Sequence, residues 1–201
     1  MIISSQNFLF ILAVVLTLLL YSREAFSQTA TVPINITVNG NLTISDANND
    51  ASSGKNPTLN VNLTVTPDLG AAAATGDANF RIRTNRSTWR LTAQRTLEVD
   101  TGPTNIIAMD VGLSVTTLAG SNANPNAGTK VAPFNSQTDL SNVPVGAPVT
   151  VIAGTAKTSI TRDNTNINNY FQINTRYSIL PDFFYQPGTW RTTVTYNLVS
   201  P

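Results

Sequence analysis

Residues 80–94 read FRIRTNRSTWRLTAQ, and apolar and polar side chains alternate in two parts of this stretch. Phe80 and Ile82 alternate with arginines, and a second alternation begins at Trp89 after a short polar loop. Successive side chains of a β-strand point to opposite faces of the sheet, so this pattern predicts two strands with one buried face each.

The same two-residue period recurs along most of the chain. The further predicted strands cover residues 32–44, 59–65, 106–117, 149–156, 170–179 and 189–199. No stretch after Ser27 has the apolar spacing of a helix over ten or more residues. Short strands separated by frequent turn residues predict an all-β protein, an antiparallel β-sandwich, with a closed barrel as the alternative.

The first of these segments is predicted to form a hairpin. Asn39-Gly40 is a residue pair that type I′ turns favour, and apolar residues alternate on both sides of it. These apolar residues are Val32, Ile34, Ile36 and Val38 before the turn, and Leu42 and Ile44 after it.

The N-terminal residues 1–27 have the pattern of a signal peptide. An apolar run from Phe8 to Tyr21 is followed by a polar break, and Ala25 and Ser27 supply small residues for cleavage. The run is shorter than a membrane-spanning helix requires, and a retained anchor is the alternative. We therefore expect a secreted or cell-surface protein that contacts a membrane only through the leader if it is uncleaved. Residues 28–201 would form one domain, with a long surface loop at 119–145 that is rich in Asn, Pro, Gly and Ser.

The composition argues against most enzyme classes and against nucleic-acid binding. The chain has no His and no Cys, which excludes a histidine-based triad, a thiolate nucleophile and an ordinary zinc site. A net charge of +1 does not fit a nucleic-acid-binding protein. Glu98 and Asp100, two positions apart on one strand face, are the only close carboxylate pair, and a hydrolase that uses them is a further alternative. We therefore expect a protein that is not an enzyme.

Five arginines, of which Arg95 is the last, lie between Ala78 and Leu97 with no acidic residue among them, and they suggest a binding surface for an anionic partner. If the apolar residues of the first stretch point inward, Arg81, Arg83 and Arg90 point outward together, with Arg86 in the loop between them. Guanidinium groups suit carboxylate, sulfate or phosphate groups, such as those of an acidic polysaccharide. A solvated outer face that discourages edge pairing is the alternative.

Asp46, Asn48 and Asp50 place oxygen ligands at alternate positions, as in a calcium-binding loop. The EF-hand pattern is not met, because Ala51 and Pro57 stand where it requires Gly and Glu. These residues therefore predict at most a looser calcium site, and a simple turn is the alternative. No other cofactor is expected.

Residues 187–190 (PGTW) and 194–198 (VTYNL) resemble the closing strand of bacterial surface and pilus-type β-sandwich domains. The resemblance implies an immunoglobulin-like sandwich that serves in surface layers, fibres or adhesion, with identical subunits or other cell-surface components as partners. In chaperone-assembled pilins, a narrower relative, an alternating N-terminal segment pairs with a neighbouring subunit, and residues 32–38 match that segment. Ser200 departs from the family, which carries an aromatic residue there.

The function expected from these observations is an exported, non-enzymatic structural or adhesive protein of the cell surface. The alternative is a secreted carbohydrate-binding module in which Trp89, Trp190 or Tyr185 stacks on sugar rings.

Overall fold

The computed structural model describes residues 32–162 and 167–201. The predicted leader, residues 1–27, lies outside the described residues. Asn39–Pro201 forms one compact unit, and residues 32–38 belong to a separate N-terminal unit. The described part of the N-terminal unit has no regular secondary structure.

The described part of the compact unit consists of eleven strands and three single turns of 3-10 helix. The strands are β1 (Leu42–Asp46), β2 (Ala74–Thr84), β3 (Trp89–Arg95), β4 (Val99–Thr101), β5 (Val111–Ala119), β6 (Gly128–Lys130), β7 (Thr138–Asp139), β8 (Val149–Gly154), β9 (Phe171–Ile179), β10 (Thr189–Arg191) and β11 (Val194–Val199). The 3-10 turns are Ser52–Gly54, Ala108–Asp110 and Leu140–Asn142.

The strands pair antiparallel in two main sheets and one small one. One sheet has the order β1-β2-β9-β5-β7, and the other has the order β11-β3-β8-β6. β10 pairs with β4 in a separate ribbon. The predicted all-β, antiparallel sandwich is confirmed.

The core lies between the inner faces of the two main sheets. Phe80 on β2 meets Tyr196 on β11 with ring centroids 5.1 Å apart, and Trp89 on β3 meets Phe171 on β9 edge to face at 6.1 Å. Both pairs connect one sheet to the other, as in a face-to-face sandwich. Burial alternates along β2 and β3 as the opening stretch predicts, with the apolar residues inside.

The remaining strand predictions are confirmed in part. β8 and β9 lie within the predicted segments 149–156 and 170–179. The segment 106–117 begins with a 3-10 turn, and β5 starts only at Val111. The segment 189–199 is divided into β10 and β11, which belong to different sheets.

The predicted hairpin at residues 32–44 is wrong. Val32, Ile34, Ile36 and Val38 are 78–83% exposed, and within the described residues, which begin at Val32, no strand precedes Leu42. Neither Asn39 nor Gly40 has the positive φ that a type I′ turn requires. Instead the Asn85 side chain donates to the Asn39 carbonyl and accepts from the Asn41 amide, which directs the chain straight into β1.

The predicted strand at residues 59–65 is also wrong, although its alternation is real. Leu59, Val61, Leu63 and Val65 are half-buried and the residues between them are exposed. Residues 57–67, however, make no backbone hydrogen bond with any part of the chain that the structure describes. The segment is therefore held by its side chains alone.

The segment 119–145 is not the surface loop that its composition predicts. It contains β6 and β7, and Phe134 and Val143 are fully buried within it. Most residues of this segment are small or polar, so its composition does not show that it contributes to the core. A few apolar side chains are enough to anchor an irregular segment.

Candidate functional sites

Arg81 and Arg83 project from the outer face of β2, as predicted, but they are engaged within the molecule. Each donates from Nη1 to a different oxygen of Asp50 at 2.7 Å. The guanidinium carbon of Arg81 lies 3.9 Å above the ring centroid of Tyr170, and that of Arg83 lies 5.5 Å away. Arg83 also donates to the Ile167 carbonyl at 2.6 Å.

This arrangement pairs one carboxylate with two arginines at the same sheet face and leaves one positive charge in excess. Burial acts to raise the pKa of Asp50, but the hydrogen bonds and positive charges of Arg83 and Arg81 outweigh it and lower the pKa below its ordinary value. The cluster thus stays ionised near neutral pH. Its two arginines are the donors that an anionic ligand would need, and both already serve Asp50.

The structure separates the other two predicted arginines from this cluster. Arg90 is exposed on β3, which belongs to the second sheet, so the expectation that it projects together with Arg81 and Arg83 is wrong. Arg86 lies in the loop after β2, and its guanidinium covers Gly40. Neither Arg86 nor Arg90 forms an ion pair with a described residue.

Of the three predicted calcium ligands, Asp46 ends β1, and Asn48 and Asp50 lie in the loop that follows it. Asp46 accepts from the Asn48 amide at 2.8 Å, which is the Asx turn that short polar residues favour. Asp50 points to the arginines instead, and two adjacent positive charges repel a divalent cation. No group of three acidic side chains suited to a metal occurs within residues 32–162 and 167–201.

Glu98 lies directly before β4 and Asp100 lies within it, and the two carboxylates have different hydrogen-bond partners. Arg95 donates to Glu98 at 2.9 Å, and the Thr104 hydroxyl donates to Asp100 at 2.6 Å. Each carboxylate therefore has a structural partner near the β4–β10 ribbon.

Of the two tryptophans, Trp89 is buried and Trp190 is half-buried. Trp89 is 1% exposed and donates from Nε1 to the Ala156 carbonyl at 2.9 Å, which leaves no face for a sugar ring. Trp190 is half-buried and packs against the core. These contacts place both indoles among the residues that stabilise the fold.

Tyr185 alone of the three aromatic candidates faces a cleft. The cleft is shallow, has a volume of about 510 Å³ and is lined by Asn105, Ile107, Asp110, Asp182, Phe184 and Tyr185. Burial, followed by the charges of Asp110 and Asp182, raises the pKa of Tyr185 above its ordinary value. The Asn105 side chain donates to the Phe184 carbonyl at 3.3 Å and so ties the two loops of the cleft together.

A partly buried pair of tyrosines was not anticipated from the sequence. The hydroxyls of Tyr177 on β9 and Tyr196 on β11 lie 3.1 Å apart and join the two sheets. Burial raises the pKa of both phenols, that of Tyr196 most strongly. Each residue sits at an inward position of its strand, but their pairing depends on how the sheets stack, which local sequence does not contain.

Two further findings concern possible membrane spans and similarity to known proteins. None of the helices described between residues 32 and 201 is long and apolar enough to span a membrane. The chain matches no protein-family model and no curated protein sequence.

Proposed function

We propose that this chain is an exported, non-enzymatic structural or adhesive protein of a bacterial-type cell surface, and that it self-associates through residues 32–38. The observation that carries the proposal is the state of this segment. Its four apolar side chains at alternate positions are 78–83% exposed, and none of its residues hydrogen-bonds with a described residue. A second molecule can bury those side chains and satisfy the free backbone groups by strand addition.

The fold supplies a suitable scaffold for this role. A sandwich with open strand edges offers sites for strand addition, and the resemblance of its closing strand to surface and pilus-type domains agrees with such a use. Contact with an acidic polysaccharide belongs to the same proposal. Arg86 and Arg90 suit it better than Arg81 and Arg83, which serve Asp50.

The test compares the mature chain, residues 28–201, with two variants by light scattering over a wide concentration range. Ile34→Asp with Ile36→Asp places charges where burial is required, so we expect self-association to weaken at least about 100-fold. Asn35→Asp with Thr37→Asp changes the opposite face and is the control. A strictly monomeric wild-type chain, or equal weakening in both variants, contradicts the proposal.

A carbohydrate-binding module is the second candidate, and the cleft beside Tyr185 favours it. Phe184 is 68% exposed, and Asp110 and Asp182 provide acceptors for sugar hydroxyls. An array of neutral, amino and acidic oligosaccharides tests it. Binding that is lost in both Phe184→Ala and Tyr185→Ala supports this function, and the absence of binding removes it.

A further inference from the structure

Residues 32–38 and 59–65 have the same pattern of side chains. Ile34-Asn-Ile-Thr-Val38 corresponds to Val61-Asn-Leu-Thr-Val65, and Val32 corresponds to Leu59 in the same register. The first copy is exposed and the second is half-buried, with the same alternate positions apolar. Either segment therefore presents nearly the same face to a groove.

The way in which residues 59–65 are held makes them replaceable. Leu59, Leu63 and Val65 pack against the core, yet residues 57–67 form no hydrogen bond with any described residue. An incoming segment would have no ladder to break, and it would restore the apolar contacts with side chains of similar size.

The neighbouring strand has room to hold such a segment. β1 pairs only with residues 80–84 of β2, so residues 74–78 of β2 have a ladder with β9 alone among the described strands. The replaceable segment lies next to this open part, because a Cβ built at Gly76 would be 2.6 Å from Val61 Cγ1. A third copy of the motif, Asn41-Leu-Thr-Ile44, enters β1 and is fixed by five ladder positions.

We infer that residues 32–38 of one molecule take the place of residues 59–65 in a second copy of this chain, with Ile34 at the position of Val61. The inference rests on the proposed self-association and assigns its acceptor. Each molecule then carries one donor segment and one acceptor groove, which is a head-to-tail contact that generates open chains.

A cross-linking experiment tests the register, since the chain has no cysteine of its own. Val61 Cβ lies 3.9 Å from the position that a Cβ would occupy at Gly76, close to the separation of about 3.8 Å in disulfides. Under oxidation, Ile34→Cys chains mixed with Gly76→Cys chains should form a mixed dimer. Asn35→Cys, on the opposite face, is the control and should not. Equal cross-linking of both, or none at Ile34→Cys in associating chains, overturns the inference.

A variant in which a disulfide fixes residues 59–65 tests whether this segment must be displaced before the chains associate. Val61→Cys with Gly76→Cys in one chain should close a disulfide that retains residues 59–65, so association should be lost on oxidation and return on reduction. If the Gly76→Cys chain does not fold, the reduced form of this double variant serves as the acceptor chain in the cross-linking experiment. Locked chains that associate like wild type refute the assigned acceptor and leave the proposed function standing. A wild-type chain that never associates refutes both.

Discussion

Asp50 forms ion pairs with two arginines of the outer sheet face. It lies in the turn after β1, and Arg81 and Arg83 reach it from β2, so a single carboxylate fixes the turn to the sheet. The side chains of the three residues are 19–23% exposed, which makes this cluster less screened than an ordinary surface ion pair.

Asp50→Asn should therefore lower the free energy of unfolding by about 1–3 kcal/mol, because two half-buried guanidinium groups lose their countercharge. Urea unfolding measures the change. Asp77→Asn is the matched control, since its ion pair with Arg176 is largely exposed and should change the free energy of unfolding much less. Equal effects of the two substitutions would show that the cluster has no special weight.

The same cluster predicts an acid dependence of stability. The folded pKa of Asp50 is lowered from its ordinary value of 3.8, so its stabilisation is present above pH 3.8 and is lost as the pH falls through the lower folded pKa. Unfolding of wild type and Asp50→Asn between pH 2 and pH 6 should converge at the acid end. A constant difference across that range contradicts the assignment.

The tyrosine pair predicts the opposite, alkaline dependence. Burial raises the folded pKa of Tyr177 and Tyr196 above the ordinary 10.0, so above pH 10 the unfolded chain loses protons that the folded chain retains. Stability should fall as the pH rises above 10, and it should fall less steeply in Tyr196→Phe. Melting temperatures between pH 8 and pH 11 measure this, and parallel curves would refute it.

At the scale of elements, two glycines make room for the largest core residue. Gly128 on β6 and Gly154 on β8 lie opposite each other in the ladder, and a Cβ at Gly154 would overlap the Trp89 indole. The indole can therefore lie flat against the second sheet only because these positions carry no side chain.

Gly154→Ala should destabilise the fold by about 1–3 kcal/mol, because the added methyl group forces the indole out of its place. Thermal unfolding and the near-ultraviolet signal of Trp89 report the change. Thr129→Ala, at an exposed position of β6, is the control and should be near neutral. An unchanged tryptophan signal in Gly154→Ala would contradict this packing.

At the scale of elements, the faces of the strands could be predicted from the sequence, but their pairing partners could not. The faces of β2 and β3 were predictable from the alternation at Phe80 and Trp89, because a buried face imposes its period on the strand. The absence of a ladder at residues 59–65 was not, since periodicity specifies a face but not a partner strand. The arginines show the same limit: each points outward as expected, but the strand order that separates Arg90 from Arg81 is a property of the whole fold.

At the scale of the whole molecule, residues 32–38 have no hydrogen-bond partner among the described residues, and a similar segment, residues 59–65, is held without a ladder. Residues 32–38 carry exposed apolar side chains that water solvates poorly, and residues 59–65 carry the same pattern packed against the core. Both features have a common explanation if the chain completes its contacts only in an assembly of identical subunits.

Amide hydrogen exchange of residues 32–38, measured as the concentration of the mature chain is raised, tests this account most directly. We expect fast exchange in the dilute monomer and strong protection in the assembled form, because the segment then pairs with a neighbour. Exchange that stays fast while light scattering shows assembly would contradict the account, since the molecules would then associate without using this segment.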